Sequence, residues 1–116
     1  MIKAIKAIWT QESASYQGKY FQFEDIAMGP KAAAKPYPPI WIANSVRDPK
    51  LVERALRRAV RHSEGVQSSR LYPHEYSARW EQLRGYATEM GKDPDSFDGN
   101  LYHNINVNED RQQAYD

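Results

Sequence analysis

The sequence predicts an α/β fold made of parallel βα units, and three observations carry that prediction. Short apolar or alternating runs at 40–43, 65–69 and 101–107 are separated by two strongly amphipathic helical stretches. Strands that alternate with helices imply parallel βαβ units. Breakers stand at the joints: Pro38-Pro39, Asp48-Pro49, Pro73 and Gly91 with Pro94. The length, 116 residues, suits about one domain. Three βα units are too few to close a (β/α)8 barrel of about 250 residues, and enough for part of one.

Each element follows from local chemistry. Ile2, Ile5, Ile8 and Trp9 fall at helical spacing opposite Lys3 and Lys6, so residues 1–9 read as the end of a helix. Residues 10–38 are a long connection. Within it Ser15-Tyr16-Gln17-Gly18-Lys19-Tyr20-Phe21 predicts a turn or short hairpin centred on Gly18. Gly29-Pro30 and Lys35-Pro36-Tyr37-Pro38-Pro39 forbid a helix there. Ile40-Trp41-Ile42-Ala43 is a continuous apolar run, the pattern of a strand covered on both faces. Asp48 is an N-cap candidate and Pro49 a good first helical residue. From there Leu51, Val52, Ala55, Leu56, Ala59 and Val60 form one apolar stripe, with Arg54, Arg57, Arg58 and Arg61 on the remaining surface. Residues 65–69 read as a short strand. Pro73 opens a second helix, in which Tyr76, Trp80, Leu83, Ala87 and Met90 step by four and three until Gly91 stops it. Residues 101–107 alternate, with Leu101, His103, Ile105 and Val107 on one face and Tyr102, Asn104 and Asn106 on the other. Asn108-Glu109-Asp110 reads as a further helix start.

Composition narrows the function classes. Lys plus Arg is 16 and Asp plus Glu is 15, a formal charge of +1; a dedicated nucleic-acid binder normally shows a basic excess. The absence of cysteine excludes disulfide frameworks, cysteine-ligated zinc, iron–sulfur clusters and thiol catalysis. No apolar run is long enough to span a membrane. Met1 is followed by Ile-Lys-Ala-Ile-Lys without a long apolar stretch, so a secretory signal is not expected and the expected compartment is the cytoplasm. Leu, Ile, Val and Phe are 20 of 116 residues, below the roughly 20% that marks weak cores. Eight Tyr and three Trp restore some of the buryable area.

An ordered series of short segments resembles a known family. Ile8-Trp9-Thr10, Tyr16-Gln17-Gly18-Lys19-Tyr20-Phe21, Pro30-Lys31 and Lys35-Pro36-Tyr37-Pro38-Pro39-Ile40-Trp41-Ile42-Ala43 are similar to the second half of luciferase-like flavin-dependent monooxygenases. The stretch from Glu53 to His62, Gly91-Lys92-Asp93-Pro94 and the last strand also fit. The resemblance implies a partial (β/α)8 TIM barrel over residues 1–116. Residues 1–38 are then a helix end and insertion loop, and residues 39–116 are βαβαβ units matching roughly strands five to seven. It implies FMN as cofactor, or the deazaflavin F420 in one branch. Two departures stand out. Pro30-Lys31-Ala32-Ala33-Ala34 replaces a frequent Pro-x-Pro-x-Gln. Ser63-Glu64-Gly65-Val66 replaces a frequent Gly-Asp-Gly-Trp, removing an aromatic expected near the flavin face.

Barrel active sites form at the C-terminal ends of strands. The resemblance assigns Ile42, Ala43, Asn44 and Ser45 to the flavin phosphate, through backbone groups and the Ser45 hydroxyl. Backbone N–H groups at a strand-to-helix turn and a helix N-terminus favour an anion. The alternative is that Asn44 and Ser45 merely make a turn. Ser68, Ser69 and Arg70 end the next strand and are candidates for a phosphate or an acidic substrate, or a solvated loop. His103 tempts as a general base, but its position on an apolar face favours a core or subunit-facing histidine; the family's usual catalytic histidine comes from an early strand. His62 and His74 are expected on the surface, and the histidines lack metal-ligand spacing. The arginine run reads as a solvated outer face, and the Tyr76-to-Met90 stripe as core.

Two functions remain open at this point. One is part of a flavin-dependent oxidoreductase that uses reduced FMN (or F420) and oxygen on a small organic substrate. The other is a catalytically inactive remnant that serves as a binding or assembly module. The first implies flavin and substrate as partners in a complete barrel, without nucleic acid or membrane. An unclosed sheet also predicts self-association.

Overall fold

A computed structural model describes residues 1–103 and 106–115. Helix α1 (Ile2–Thr10) is followed by a two-stranded antiparallel hairpin, β1 (Ala14–Gln17) and β2 (Gln22–Ile26). A proline-rich segment leads to the main unit. There β3 (Trp41–Ala43), α2 (Pro49–His62), β4 (Gly65–Ser69), α3 (Pro73–Glu89) and β5 (Asp98–Tyr102) form a parallel sheet in the order β3-β4-β5. A short helix, α4 (Arg111–Tyr115), follows.

The expected elements are present, with one shift. The last strand runs over 98–102 rather than 101–107. Its start is drawn back because Gly65 pairs with Asp98 and Ser69 with Tyr102, so β5 extends only as far as β4 gives it a partner. His103 lies beyond the strand and Val107 is 90% exposed. Asn104 and Ile105, assigned by sequence to that strand, lie outside the described residues. The hairpin is longer than the turn around Gly18 suggested. Gly18 N–H closes it on Phe21 O at 3.0 Å, and Tyr16 stacks on Phe23.

The sheet is covered on one face by α2 and α3. Ile42, Val66, Leu56, Val60, Leu83, Ala87 and Phe97 form the core between them. The α2 stripe buries five residues (Val52, Ala55, Leu56, Ala59 and Val60). The Asp48 carboxylate caps that helix, accepting from Lys50 N–H at 2.9 Å. In α3, Leu83 and Ala87 are buried while Trp80 and Met90 pack at the core's edge, so the expected stripe is core packing. The departure at Val66 also belongs here. Its side chain is buried among the helix-facing residues, so the lost aromatic alters core packing rather than the wall of a cleft.

Two glycines mark where elements press together. A Cβ at Gly65 would stand 2.7 Å from the Trp41 ring and 2.8 Å from Asp98 O; one at Gly99 would stand 2.3 Å from the Tyr76 hydroxyl. The first lies on the uncovered face and the second under α3. The uncovered face therefore carries Trp41, Ala43, Gln67, Asn100 and Tyr102, all exposed. Among the described residues neither β3 nor β5 has a second strand partner.

Candidate functional site at the C-terminal strand ends

The parallel sheet brings three strand ends to one edge. The backbone continues the ladder past β3, with Asn44 N–H donating to Gln67 O at 2.8 Å. This carries Ser45 to the level of Ser69, and the two hydroxyl oxygens stand 2.7 Å apart. With Arg70, Tyr102 and His103 they line an open cleft of about 630 Å³. Arg70 follows β4 with φ 56°, in the left-handed region. Arg47, from the β3–α2 turn, donates from Nη2 to Arg70 O at 3.2 Å. Among the described residues neither arginine forms an ion pair with a carboxylate. The cleft thus presents two hydroxyls and the Arg70 guanidinium, a donor set suited to an anion, with Arg47 behind it on the Arg70 carbonyl.

The sequence-marked residues divide by the face on which they stand. Ser45, Ser69 and Arg70 meet in the cleft. Ile42 points into the core. Ala43 faces the opposite way but below the cleft edge, one residue-pair from Ser45. Ser68 is 2% exposed and turned toward the helices. Asn44 is 1% exposed and lines a cavity of about 10 Å³ with Ser68, Tyr76, Arg79 and Trp80, room for about one water. Its Nδ2 and Oδ1, and Arg79 Nη1, have no hydrogen-bond partner among the described residues. Strand alternation explains the split: neighbouring residues project to opposite faces.

Three further expectations change. His103 is exposed in the cleft and not a core residue, because β5 stops before it. His62 is half-buried rather than on the open surface. Burial, with Lys3, Arg61, Lys6 and Lys92 around it, pushes its imidazole below the usual range. The α2 N-terminus does not offer a free anion site, since the Asp48 carboxylate already occupies it. His74 is exposed, as expected, and stacks on Tyr72. Arg57 pairs with Glu53 and Glu89, each at 2.8 Å; Arg54, Arg58 and Arg61 remain on the exposed flank of α2.

Sequence reasoning missed Tyr102 in the cleft, Arg47 behind it on the Arg70 carbonyl, and the amide row Gln67–Asn100 beneath it. Gln67 and Asn100 are paired in register on the uncovered face. The alternation of Val66 and Ser68 with Gln67 is a signal that could have found the row. It also missed a polar cluster at the opposite, N-terminal end of the sheet. There the Glu64 carboxylate accepts from Lys6 Nζ at 2.9 Å, the Tyr37 hydroxyl at 3.0 Å and Ile40 N–H at 2.8 Å. In barrels that end serves stability rather than catalysis.

The sequence profile of luciferase-like monooxygenases matches residues 1–116. The chain belongs to that family. Within it, this luciferase-like chain is 39% identical over 46 residues to an FMNH2-dependent dimethylsulfone monooxygenase of Pseudomonas putida, a match covering 40% of this chain and 13% of that protein. It is similar in structure to the coenzyme F420-dependent tetrahydromethanopterin reductase from Methanopyrus kandleri, with a TM-score of 0.74 at 17% identity. That likeness covers 97% of this chain and 30% of the reductase; it shows the fold, a partial (β/α)8 barrel. The luciferase-like chain therefore spans less than a third of either protein's length.

Proposed function

We propose that this chain supplies the phosphate-binding end of the flavin site in an oxidoreductase that uses reduced FMN and oxygen on a small organic substrate. The observation that carries the reading is the convergence of Ser45 and Ser69, 2.7 Å apart, with Arg70 in one cleft at the C-terminal strand ends. A phosphate oxygen beside the two hydroxyls would replace their mutual hydrogen bond with two charge-assisted ones. The backbone at Ala43 and Asn44 holds Ser45 in place through the ladder bond to Gln67 O. Ile42 anchors the turn from the core side. The buried Asn44 and Ser68 side chains support the turn from beneath, and Ser45, Ser69 and Arg70 contact the phosphate. Gln67, Asn100 and Tyr102 form the wall that faces the barrel interior.

Bound in reduced form, the flavin supplies the electrons for the reaction with oxygen and substrate. The chain's own residues bind its charged tail, orient it and, once the remaining strands complete the wall, exclude water. F420 is the alternative cofactor, and the substrate lies beyond these residues. The alternative function, an inactive binding or assembly module, draws support from the two sheet edges that lack a second strand among the described residues.

The test is a titration of FMN and riboflavin against a complete barrel carrying this segment. Ser45→Asp sets a like charge beside the phosphate, worth several kcal/mol at an effective dielectric of about 20. FMN is expected to bind at least roughly tenfold more weakly, each ~1.4 kcal/mol being tenfold, and riboflavin to change much less. Ser45→Ala is expected to cost FMN binding about 1–2 kcal/mol. Equal losses for both flavins would remove Ser45 from the phosphate site.

A further inference from the structure

Arg47 stands two residues past Ser45 and does not line the cleft itself. Its guanidinium instead reaches the next turn, where Nη2 donates to Arg70 O at 3.2 Å. Arg70 is held at φ 56°. A residue with a Cβ enters the left-handed region at a cost and stays there where its surroundings hold it. Here the surroundings are the contacts that tie the two turns together: Arg47 on Arg70 O, Ser45 on Ser69, and Asn44 N–H on Gln67 O. The conformation matters because φ sets the direction of the Cα–Cβ bond. A return of Arg70 to negative φ would swing its side chain out of line with the two hydroxyls. A guanidinium is a planar fork whose value to a phosphate depends on its aim.

We propose that Arg47 is a positioning residue. By engaging the Arg70 carbonyl it keeps Arg70 in its left-handed conformation, aims that guanidinium into the cleft beside Ser45 and Ser69, and so sets the preference for phosphorylated over unphosphorylated flavin. This rests on the phosphate reading of the cleft. It adds a residue that contacts no ligand and acts through its neighbour's backbone.

The test uses the same complete barrel, with FMN and riboflavin as probes. The proteins compared are wild type, Arg47→Met, Arg70→Met, the double variant and Ser45→Asp. Methionine keeps an unbranched stem and removes both donors and charge. Arg47→Met is expected to weaken FMN by about tenfold, the scale of one well-aimed charge-assisted contact, and to leave riboflavin within about twofold. In the Arg70→Met background it is expected to add almost nothing, since residues that act through one another are not additive. Losses that multiply in the double variant would give Arg47 an effect of its own and overturn the proposal. An equal loss for both flavins, with Ser45→Asp still selective against FMN, would overturn it too while leaving the phosphate site intact. Should Ser45→Asp prove unselective, the phosphate site itself is misplaced and the proposal falls with it. If Arg47→Met does not fold, Arg47→Lys replaces it. Lysine keeps a donor for the Arg70 carbonyl, so the FMN preference is expected to persist, and its loss counts against the positioning role.

Discussion

Glu64 shows how one side chain at the foot of the sheet ties distant segments together. Lys6 comes from α1, Tyr37 from the proline-rich segment and Ile40 from the approach to β3; all three donate to its carboxylate. Burial pushes the carboxyl up, but the Ile40 N–H, Lys6 and Tyr37 together outweigh it and hold it below its ordinary value of 4.5. A depressed folded value means stability that is present above pH 4.5 and is lost as pH falls through the folded value. Lys6 is the mirror case. Burial lowers it, yet Tyr37 and Glu64 raise it above 10.5, so its contribution is present below that pH and lost as pH rises through the folded value. His62 is depressed below 6.5, so it adds an earlier acid loss as pH falls past that point. Glu64→Gln is expected to flatten the acid limb of the unfolding midpoint below pH 4.5. At neutral pH it should cost about 0.5–1 kcal/mol, because partial exposure screens the pair. His62→Gln should remove the step below 6.5 and leave the lower one. Thermal unfolding across pH reads both.

Among the elements, the close approach of strand to strand and of helix to sheet decides what each position tolerates. Gly65 and Gly99 lie in neighbouring strands, yet alanine would meet different neighbours. At Gly65 the added methyl meets Asp98 O, part of the β5 backbone, at 2.8 Å. At Gly99 it meets the ends of the Tyr76 and Trp80 side chains, which can turn aside. Overpacking costs about 1–3 kcal/mol. We expect Gly65→Ala at or above the upper end of that range and Gly99→Ala nearer the lower end, measured by denaturant unfolding. A reversed order would show that β5 can shift more easily than α3 can repack. Helix α2 offers a simpler case. Removing its carboxylate cap in Asp48→Ala should cost about 1 kcal/mol. It should also free the helix N-terminus that the cap now occupies.

At the level of the whole molecule the shape is open. The radius of gyration is 18.2 Å, against about 13 Å for a compact domain of this length. A parallel sheet normally has both faces covered, but here one face exposes Trp41 and Tyr102 at 43% and 54%. Both outer strands lack a second partner among the described residues. An unpaired edge is a template for another strand. The 116-residue chain is therefore expected to associate with rising concentration in light scattering; a monomer that stays compact at high concentration would contradict this. The same openness predicts weak flavin binding by this chain alone whatever stands at position 45, since only three parallel strands wall the cleft among the described residues; a flavin titration of the 116-residue chain reads it.

The elements and their order were legible from the residues alone. Stripes such as Val52–Ala55–Leu56–Ala59–Val60, the Asp48-Pro49 cap and the Pro38-Pro39 entry act through local sterics and periodic burial, which need no knowledge of the rest of the chain. Its resemblance to a family pointed to the C-terminal edge of the sheet and to Ser45. The tertiary structure decided which way each side chain on that edge faces. Register and pleat send Asn44 and Ser68 inward and Ser45 and Ser69 to the cleft, because adjacent strand residues project to opposite faces. A one-residue error in the end of a strand exchanges those roles. His103 moved from the core to the cleft because β5 ends where β4 stops pairing with it, a limit set by a partner strand about thirty residues away in sequence. Arg47 and the Lys6–Tyr37–Glu64 cluster were illegible for the same reason: their partners meet only when the turns and the sheet are already in place.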